Sequence, residues 1–146
     1  MNQKDWNGGK IKPSEIENGI TDESVIFAEK LGTFLGTDYT EPGNNGRPSI
    51  KKEKLTTNQL RKFFGEVKRQ QMKGYNKSDF VLLKPKLAYA VGRAQKNGKI
   101  IDFYNIIADA IDKVHDDNTF KNFIKVFEAI VAYHKAAEEK KNITNL

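Results

Sequence analysis

The chain has 146 residues, of which 38% are apolar and none is cysteine, and it carries a net charge of +6. This length and composition fit one globular domain with a buried core; the lack of cysteine excludes disulfides and thiolate zinc sites. Residues 1–12 lack the apolar stretch of a secretory signal and no run reaches the roughly 18 apolar residues of a membrane span, so we expect a soluble, cytoplasmic protein.

The positive charge is concentrated in the middle of the chain. Between Lys51 and Lys99, 14 Lys and Arg residues stand against three acids, a net charge of +11, whereas the segments before and after it carry −3 and −2. A local excess of this size creates a field that attracts polyanions, whereas an even spread would bear only on solubility. The middle of the chain is therefore predicted to form a nucleic-acid face.

The N-terminal part combines a polar start with one short helix. Residues 1–19 are polar and rich in glycine without a sustained period, which predicts a mobile or loosely attached arm. Trp6 is the exception, and we expect it to pack back on the domain. Thr21 or Asp22 can cap a helix that ends near Gly36. The apolar positions of this helix are Val25, Ile26, Leu31, Phe34 and Leu35.

A turn-rich connection precedes the clearest helix start. Residues 37–54 contain two prolines and four glycines or asparagines in close succession, which predicts a long flexible loop. Thr56, followed three residues later by Gln59, forms a capping-box pattern. The apolar residues that follow have helical spacing and are Leu60, Phe63, Phe64 and Val67.

Three further helices are predicted in the second half of the chain. Proline is tolerated in the first turn of a helix, so one helix is placed from Pro85 to about Lys96. Helical spacing of apolar residues predicts two more, over 100–114 and 120–131. The chain is thus predicted to be all-α, a compact bundle of about five helices over 55–146 with a mobile N-terminal extension over 1–54.

Two predicted helices carry most of the candidate binding residues. In the helix after Pro85, Lys86, Tyr89 and Arg93 fall on one face, where a ring between two cations can hold a phosphate and stack a base. The helix after Thr56 carries a basic stripe opposite its apolar stripe. The residues of that stripe are Arg61, Lys62, Lys68, Arg69 and Lys73. A solvated surface is the ordinary alternative, but surfaces built for solubility intersperse acids with lysines, and acids are scarce here.

An enzymatic alternative depends on a small group of titratable residues. Asp112, His115 and Asp116 share a helical face and could bind a metal, and the adjacent His115-Asp116 pair is similar to the metal dyad of phosphohydrolases. That family needs a further histidine upstream, which this chain lacks. Solvation of the two acids at a helix end and a capping role for His115 are therefore favoured, and His134 is expected to be a core-edge histidine. No catalytic residue, cofactor or metal is predicted.

Three segments together resemble the small subunit of the type III-A CRISPR effector, the Csm complex. They lie at residues 59–64, 82–93 and 127–135, and their order and spacing match that family from Leu55 to about Ala137. Residues 1–54 resemble nothing that we can place. The sequences of the three segments are QLRKFF, LLKPKLAYAVGR and FEAIVAYHK.

The resemblance implies a helical, non-catalytic protein of antiviral defence that is repeated in several copies as an inner filament. Its implied partners are the guide RNA, the target RNA, the backbone subunits, the large polymerase-like subunit and further copies of itself, with no membrane. Within the matching segments, the positions carried over as RNA phosphate contacts are Arg61, Lys62, Lys84, Lys86 and Arg93. Lys68, Arg69 and Lys73 are predicted from charge alone.

Two other readings of the basic block remain open from the sequence. A stand-alone helical regulator that binds RNA or DNA would use the same cations, although no convincing helix-turn-helix signature is present. A docking surface for an acidic protein would also be basic.

Overall fold

The structure is a computed structural model that describes residues 5–51, 54–94 and 98–140. The helices in this part of the chain are α1 (Pro13–Asn18), α2 (Asp22–Leu35), α3 (Thr57–Lys73), α4 (Lys77–Val81), α5 (Leu83–Ala94), α6 (Gly98–Ile111) and α7 (Asp117–Lys140). The strands β1 (Tyr39–Pro42) and β2 (Pro48–Lys51) form an antiparallel hairpin. Five of the helices have 12 to 24 residues, so the predicted all-α bundle of about five helices is confirmed.

The helix α2 packs against α7 where two glycines bring the two backbones into contact. A Cβ atom on Gly32 would lie 2.7 Å from the carbonyl oxygen of Ile130 and 2.8 Å from the amide nitrogen of His134. A Cβ atom on Gly36 would lie 2.7 Å from the carbonyl oxygen of His134. Because these neighbours are backbone atoms of a helix, they cannot rotate away from a larger side chain. The approach of α2 to α7 therefore requires glycine at both positions.

The described start of the chain contacts the bundle. Residues 5–19 belong to the segment for which the sequence predicts a mobile arm, of which residues 1–4 lie outside the described part. Ile16 of α1 is fully buried. The Trp6 ring lies 5.3 Å from the Phe34 ring, measured between centroids, so the expected packing of Trp6 is confirmed.

Two buried polar side chains connect α6 and α7 to backbone segments earlier in the chain. Lys99 of α6 is fully buried, and its Nζ donates hydrogen bonds to the carbonyl oxygens of Phe34, at 2.6 Å, and of Thr37, at the end of α2. His134 is 2% exposed and donates from Nε2 to the carbonyl oxygen of Leu55, at 2.5 Å. Both side chains donate to backbone carbonyl groups beyond the regular hydrogen bonding of the helices. The expectation of a core-edge histidine is confirmed.

The prediction of a flexible loop over 37–54 is wrong for residues 39–51, which form the hairpin. Asn45 and Gly46 at its tip have φ angles of 67° and 73°, the left-handed conformations that an Asn-Gly turn supplies. Pro42 and Pro48 face each other in the register. A two-stranded hairpin tolerates them because both strands are edge strands. The prolines suggested a loop, while the Asn-Gly pair was the signal for a hairpin.

The predicted starts of α3 and α5 lie close to the observed ones. The capping box is confirmed, because the Thr56 amide lies 2.8 Å from Gln59 Oε1 and the Gln59 amide lies 3.2 Å from Thr56 Oγ1. The α5 helix starts at Leu83, with Pro85 in its first turn, and the short α4 before it was not predicted. The expected end of α5 at Lys96 lies outside the described residues.

The core of the bundle is built around the ring of Phe127 in α7. Its centroid lies 5.5 to 6.1 Å from the rings of Phe63, Phe64, Phe103 and Phe123, which come from α3, α6 and α7. Such aromatic contacts add to the free energy gained by burying the rings. They fix α3 on the body formed by α6 and α7. None of the described helices combines the length and apolarity that a membrane span requires.

The exposed apolar positions of α2 differ from expectation. Val25 and Ile26, counted with the apolar stripe, are 43% and 50% exposed. The side of α2 that faces the core is instead formed by Ala28, Leu31, Phe34 and Leu35 together with Gly32. The small residues at this side permit the close approach to α7.

Replacing Gly32 with Ala should lower the free energy of unfolding by about 1–3 kcal/mol, because the added methyl group meets helix backbone. Gly65→Ala is the matched control, since a Cβ at Gly65 on the exposed side of α3 has no atom within 4 Å in the described residues. That variant should raise the free energy of unfolding by about 1 kcal/mol. Urea denaturation of both variants measures the difference, and equal stabilities would contradict the close contact of α2 with α7.

Candidate nucleic-acid interface

The predicted basic stripe of α3 forms two rows. A helix turns by about 100° per residue, and this places one row on the side of α5 and one on the side of α7. The row beside α5 holds Lys62, Arg69 and Lys73. The row beside α7 holds Arg61 and Lys68. Lys68 Nζ lies 3.3 Å from a carboxylate oxygen of Glu128 in α7, so Lys68 is partly neutralised by its neighbour.

The α5 helix contributes the predicted face of two cations and a ring. Lys86, Tyr89 and Arg93 all line a groove between α5 and α3. Tyr89 is 68% exposed, and the Arg93 guanidinium carbon lies 5.8 Å from the centre of its ring. Lys84 lies elsewhere, because its Nζ contacts Asp112 Oδ1 at 2.8 Å. The Asp112 carboxylate raises the pKa of Lys84 through this hydrogen bond.

The groove between α3 and α5 is half-open and has a volume of about 560 Å³. Its apolar lining comes from α3, α5, α6 and the segment that precedes α3: Leu55, Phe63, Leu87, Ala90, Ile100 and Phe103. Its polar lining consists of Asn58, Gln59, Lys62, Glu66, Lys86, Tyr89 and Arg93. An apolar interior with a few convergent polar groups is typical of ligand sites.

Among the residues that the structure describes, Glu66 is the one acid that lines this groove, and its carboxylate is bound by neighbouring cations. Its oxygens lie 2.6 Å from the Arg69 guanidinium and 2.8 Å from Lys86 Nζ, with Gln70 Nε2 at 3.4 Å. The hydrogen bond from Arg69 is the main cause that lowers the pKa of Glu66 to about 2, with Lys86 and Gln70 adding to it against the opposing effect of burial. The carboxylate is therefore ionised at neutral pH and orients Arg69 and Lys86.

The structure thus brings together some of the predicted residues and separates others. Those that line the groove are Lys62, Lys86, Tyr89 and Arg93, and Arg69 contacts Glu66 of the lining. Lys73 follows Arg69 by one turn on the same side of α3. Arg61 and Lys68 lie on the other edge of α3, and Lys84 lies toward α6. Sequence reasoning missed Glu66 as an organiser of the site. Its spacing to Arg69 was visible in the sequence, whereas its contact with Lys86 depends on the packing of α3 against α5.

The alternative metal group does not assemble. His115 Nε2 lies 2.6 Å from Glu17 Oε1, and its Nδ1 lies 3.6 Å from Asp116 Oδ2. Asp116 accepts the amide of Thr119 at 2.8 Å and so caps α7, whereas the sequence interpretation gave the capping role to the histidine. Within residues 5–51, 54–94 and 98–140 no group of three or more His, Asp or Glu side chains could hold a metal ion.

A family model described as Csm2 Type III-A matches residues 40–140, more than two thirds of the chain. The chain belongs to this family. It is therefore a small subunit of the type III-A CRISPR effector, the Csm complex, and functions within that complex. No curated protein and no solved structure matches the chain.

The Csm2 match covers most of the hairpin and all of the helices from α3 to α7. The helices α1 and α2 lie before it, yet α2 packs against α7 through Gly32 and Gly36. The N-terminal helices and the Csm2 region therefore share one core. The groove between α3 and α5 lies wholly within the Csm2 region.

Replacing Glu66 with Gln should lower the free energy of unfolding by about 1 kcal/mol at pH 7, through loss of a charge-assisted hydrogen-bond network. The Glu66 pKa is lowered on folding, so its contribution is complete above the ordinary value of 4.5 and is lost as the pH falls toward about 2. Chemical denaturation between pH 7 and pH 2 should therefore show the wild type and Glu66→Gln converging in acid. Glu29→Gln, which changes an exposed acid of α2, is the control. A constant gap between the stabilities of wild type and Glu66→Gln at every pH would contradict this assignment.

Proposed function

We propose that this Csm2-family chain holds the RNA backbone in the effector complex through the face formed by α3 and α5, and that it carries out no catalytic step itself. In this proposal several copies form an inner filament in the cytoplasm beside the backbone subunits, the large polymerase-like subunit and the guide and target RNA. The observation that carries the proposal is the convergence of Lys62, Lys86 and Arg93 around one open groove.

The cations of this face suit phosphates in complementary ways. Lys62 and Lys86 supply compact charges, while the planar guanidinium of Arg93 can donate two parallel hydrogen bonds to one phosphate. Lys62 and Lys73 are 11 residues apart on α3, which is roughly 16 Å at the helical rise. That length accommodates more than one phosphate of a strand that runs along the helix.

Sequence recognition is not required of such a face. Contacts to phosphates position a nucleic acid without reading its bases, and in guide-directed complexes base pairing reads the sequence. A few phosphate contacts in each subunit give weak binding, which becomes strong when several copies line up on one strand. The proposed role is therefore to support the geometry and the affinity of the guide and target pair.

The central test is an anisotropy titration of a single-stranded RNA of about 40 nucleotides at two salt concentrations. The double variant Lys62→Ala, Arg93→Ala should bind roughly tenfold more weakly at low salt, and its salt dependence should fall by about 0.7 per lost contact.

The matched control is Lys121→Ala, Lys125→Ala, which removes the same charge from the exposed side of α7. This control should lower RNA affinity less than Lys62→Ala, Arg93→Ala does, since long-range charge effects are screened within about 10 Å at ordinary salt. Equal losses in the two double variants would show that net charge alone attracts RNA, and the proposal for the α3 and α5 face would then fail.

A further inference from the structure

We propose that the groove between α3 and α5 receives one unpaired nucleobase of the bound RNA, while the flanking phosphates lie on Lys62, Lys86 and Arg93. This inference rests on the proposed function and adds a contact that phosphate binding alone does not need. It predicts that the affinity of the subunit for RNA depends on the presence of bases but not on their identity.

The interior of the groove is suited to a flat apolar group. Phe63 and Leu87 line it from the two helices, and Phe103 lines it from α6 beneath them. All three side chains are at most 8% exposed and belong to the core, so the surface they present is held rigid by packing. The volume of about 560 Å³ lies within the range of about 300–1,000 Å³ that is typical of small-molecule sites. A nucleobase with its ribose is a group of that class.

The positive charges at the rim of the groove favour a ligand that carries negative charge at its ends. Lys62, Lys86 and Arg93 are positive, and Glu66, the one acid of the groove within the described part of the chain, is already bound by Arg69 and Lys86. The rim therefore keeps a positive excess around an apolar interior. A nucleotide has the complementary pattern, with an apolar face on the base and negative charge on the phosphates at either side. A purely apolar protein side chain would offer no negative group to Lys62 and Arg93, for which the described residues supply no carboxylate within 4 Å.

Tyr89 supplies the stacking surface at the mouth of the groove. Its side chain is largely exposed to solvent, whereas tyrosines of folded proteins are more often partly buried. The Arg93 guanidinium lies over its ring. Aromatic rings stack with any base, so such a contact does not depend on sequence. Asn58 and Gln59 add amide groups at the same rim, where they can meet the polar edge of a base. The site is therefore built for a base without specifying which one.

The test compares two RNA strands of about 12 nucleotides with equal charge, one with bases and one made of abasic ribose phosphate. The wild type should bind the strand with bases about tenfold more tightly. In Tyr89→Ala, and in Ala90→Leu, which fills the groove, this ratio should fall to near one while binding of the abasic strand and its salt dependence stay unchanged.

Met72→Ala is the matched control, because Met72 is 88% exposed on α3 and does not line the groove; it should keep the wild-type ratio. Thermal unfolding by circular dichroism checks that Ala90→Leu is folded, and Tyr89→Ala changes an exposed side chain.

The outcomes separate this inference from the proposed function. Salt-sensitive binding of both strands with a wild-type ratio near one would overturn the base site and leave the phosphate face standing. Absence of binding to either strand would overturn both. A ratio preserved in Tyr89→Ala and Ala90→Leu would place the base contacts elsewhere. If the wild type binds both strands equally and Ala90→Leu fails to assemble with the other subunits, the groove would be assigned to a protein partner instead.

Discussion

The close contact between α2 and α7 at Gly32 and Gly36 is the constraint on which the rest of the structure depends. Backbone atoms of the two helices approach so closely that a methyl group at either position would overlap with α7. The buried Lys99 of α6 donates a hydrogen bond to the end of α2. His134 of α7 binds the carbonyl group of Leu55, just before α3. The two N-terminal helices therefore pack into the same core that supports the basic helices α3 and α5.

That body leaves α3 and α5 free to direct their cations outward. The Phe127 ring cluster fixes the apolar side of α3, so the polar side of α3 faces solvent and α5. Glu66 then acts as an internal counter-ion that sets the positions of Arg69 and Lys86. An acid within a basic face lowers its net charge but defines its geometry, since long basic side chains are otherwise free to rotate. The face combines charge with shape, and for this reason we infer a base site as well as a phosphate surface.

Much of the fold could be predicted from the sequence because its signals are local. The capping box at Thr56 and the apolar spacing after it depend on neighbouring residues alone, and the structure agrees with them. The hairpin was missed because its prolines outweighed the Asn45-Gly46 pair in the prediction. The groove could not be predicted, because it exists only where α3 packs against α5. The separation of Arg61 from the groove is likewise a consequence of packing, which the charge pattern cannot reveal.

The measurement that tests the central claim most directly is photo-crosslinking with mass spectrometry of the whole effector complex, reconstituted with guide RNA and a target RNA that carries 4-thiouridine. We predict that the crosslinked peptides of this subunit come from residues 57–94, which contain α3 and α5, and that they include Tyr89 or its neighbours. Crosslinks confined to α1, α2 or the exposed side of α7, with none in residues 57–94, would contradict the account. They would show that the RNA lies on another face of the subunit.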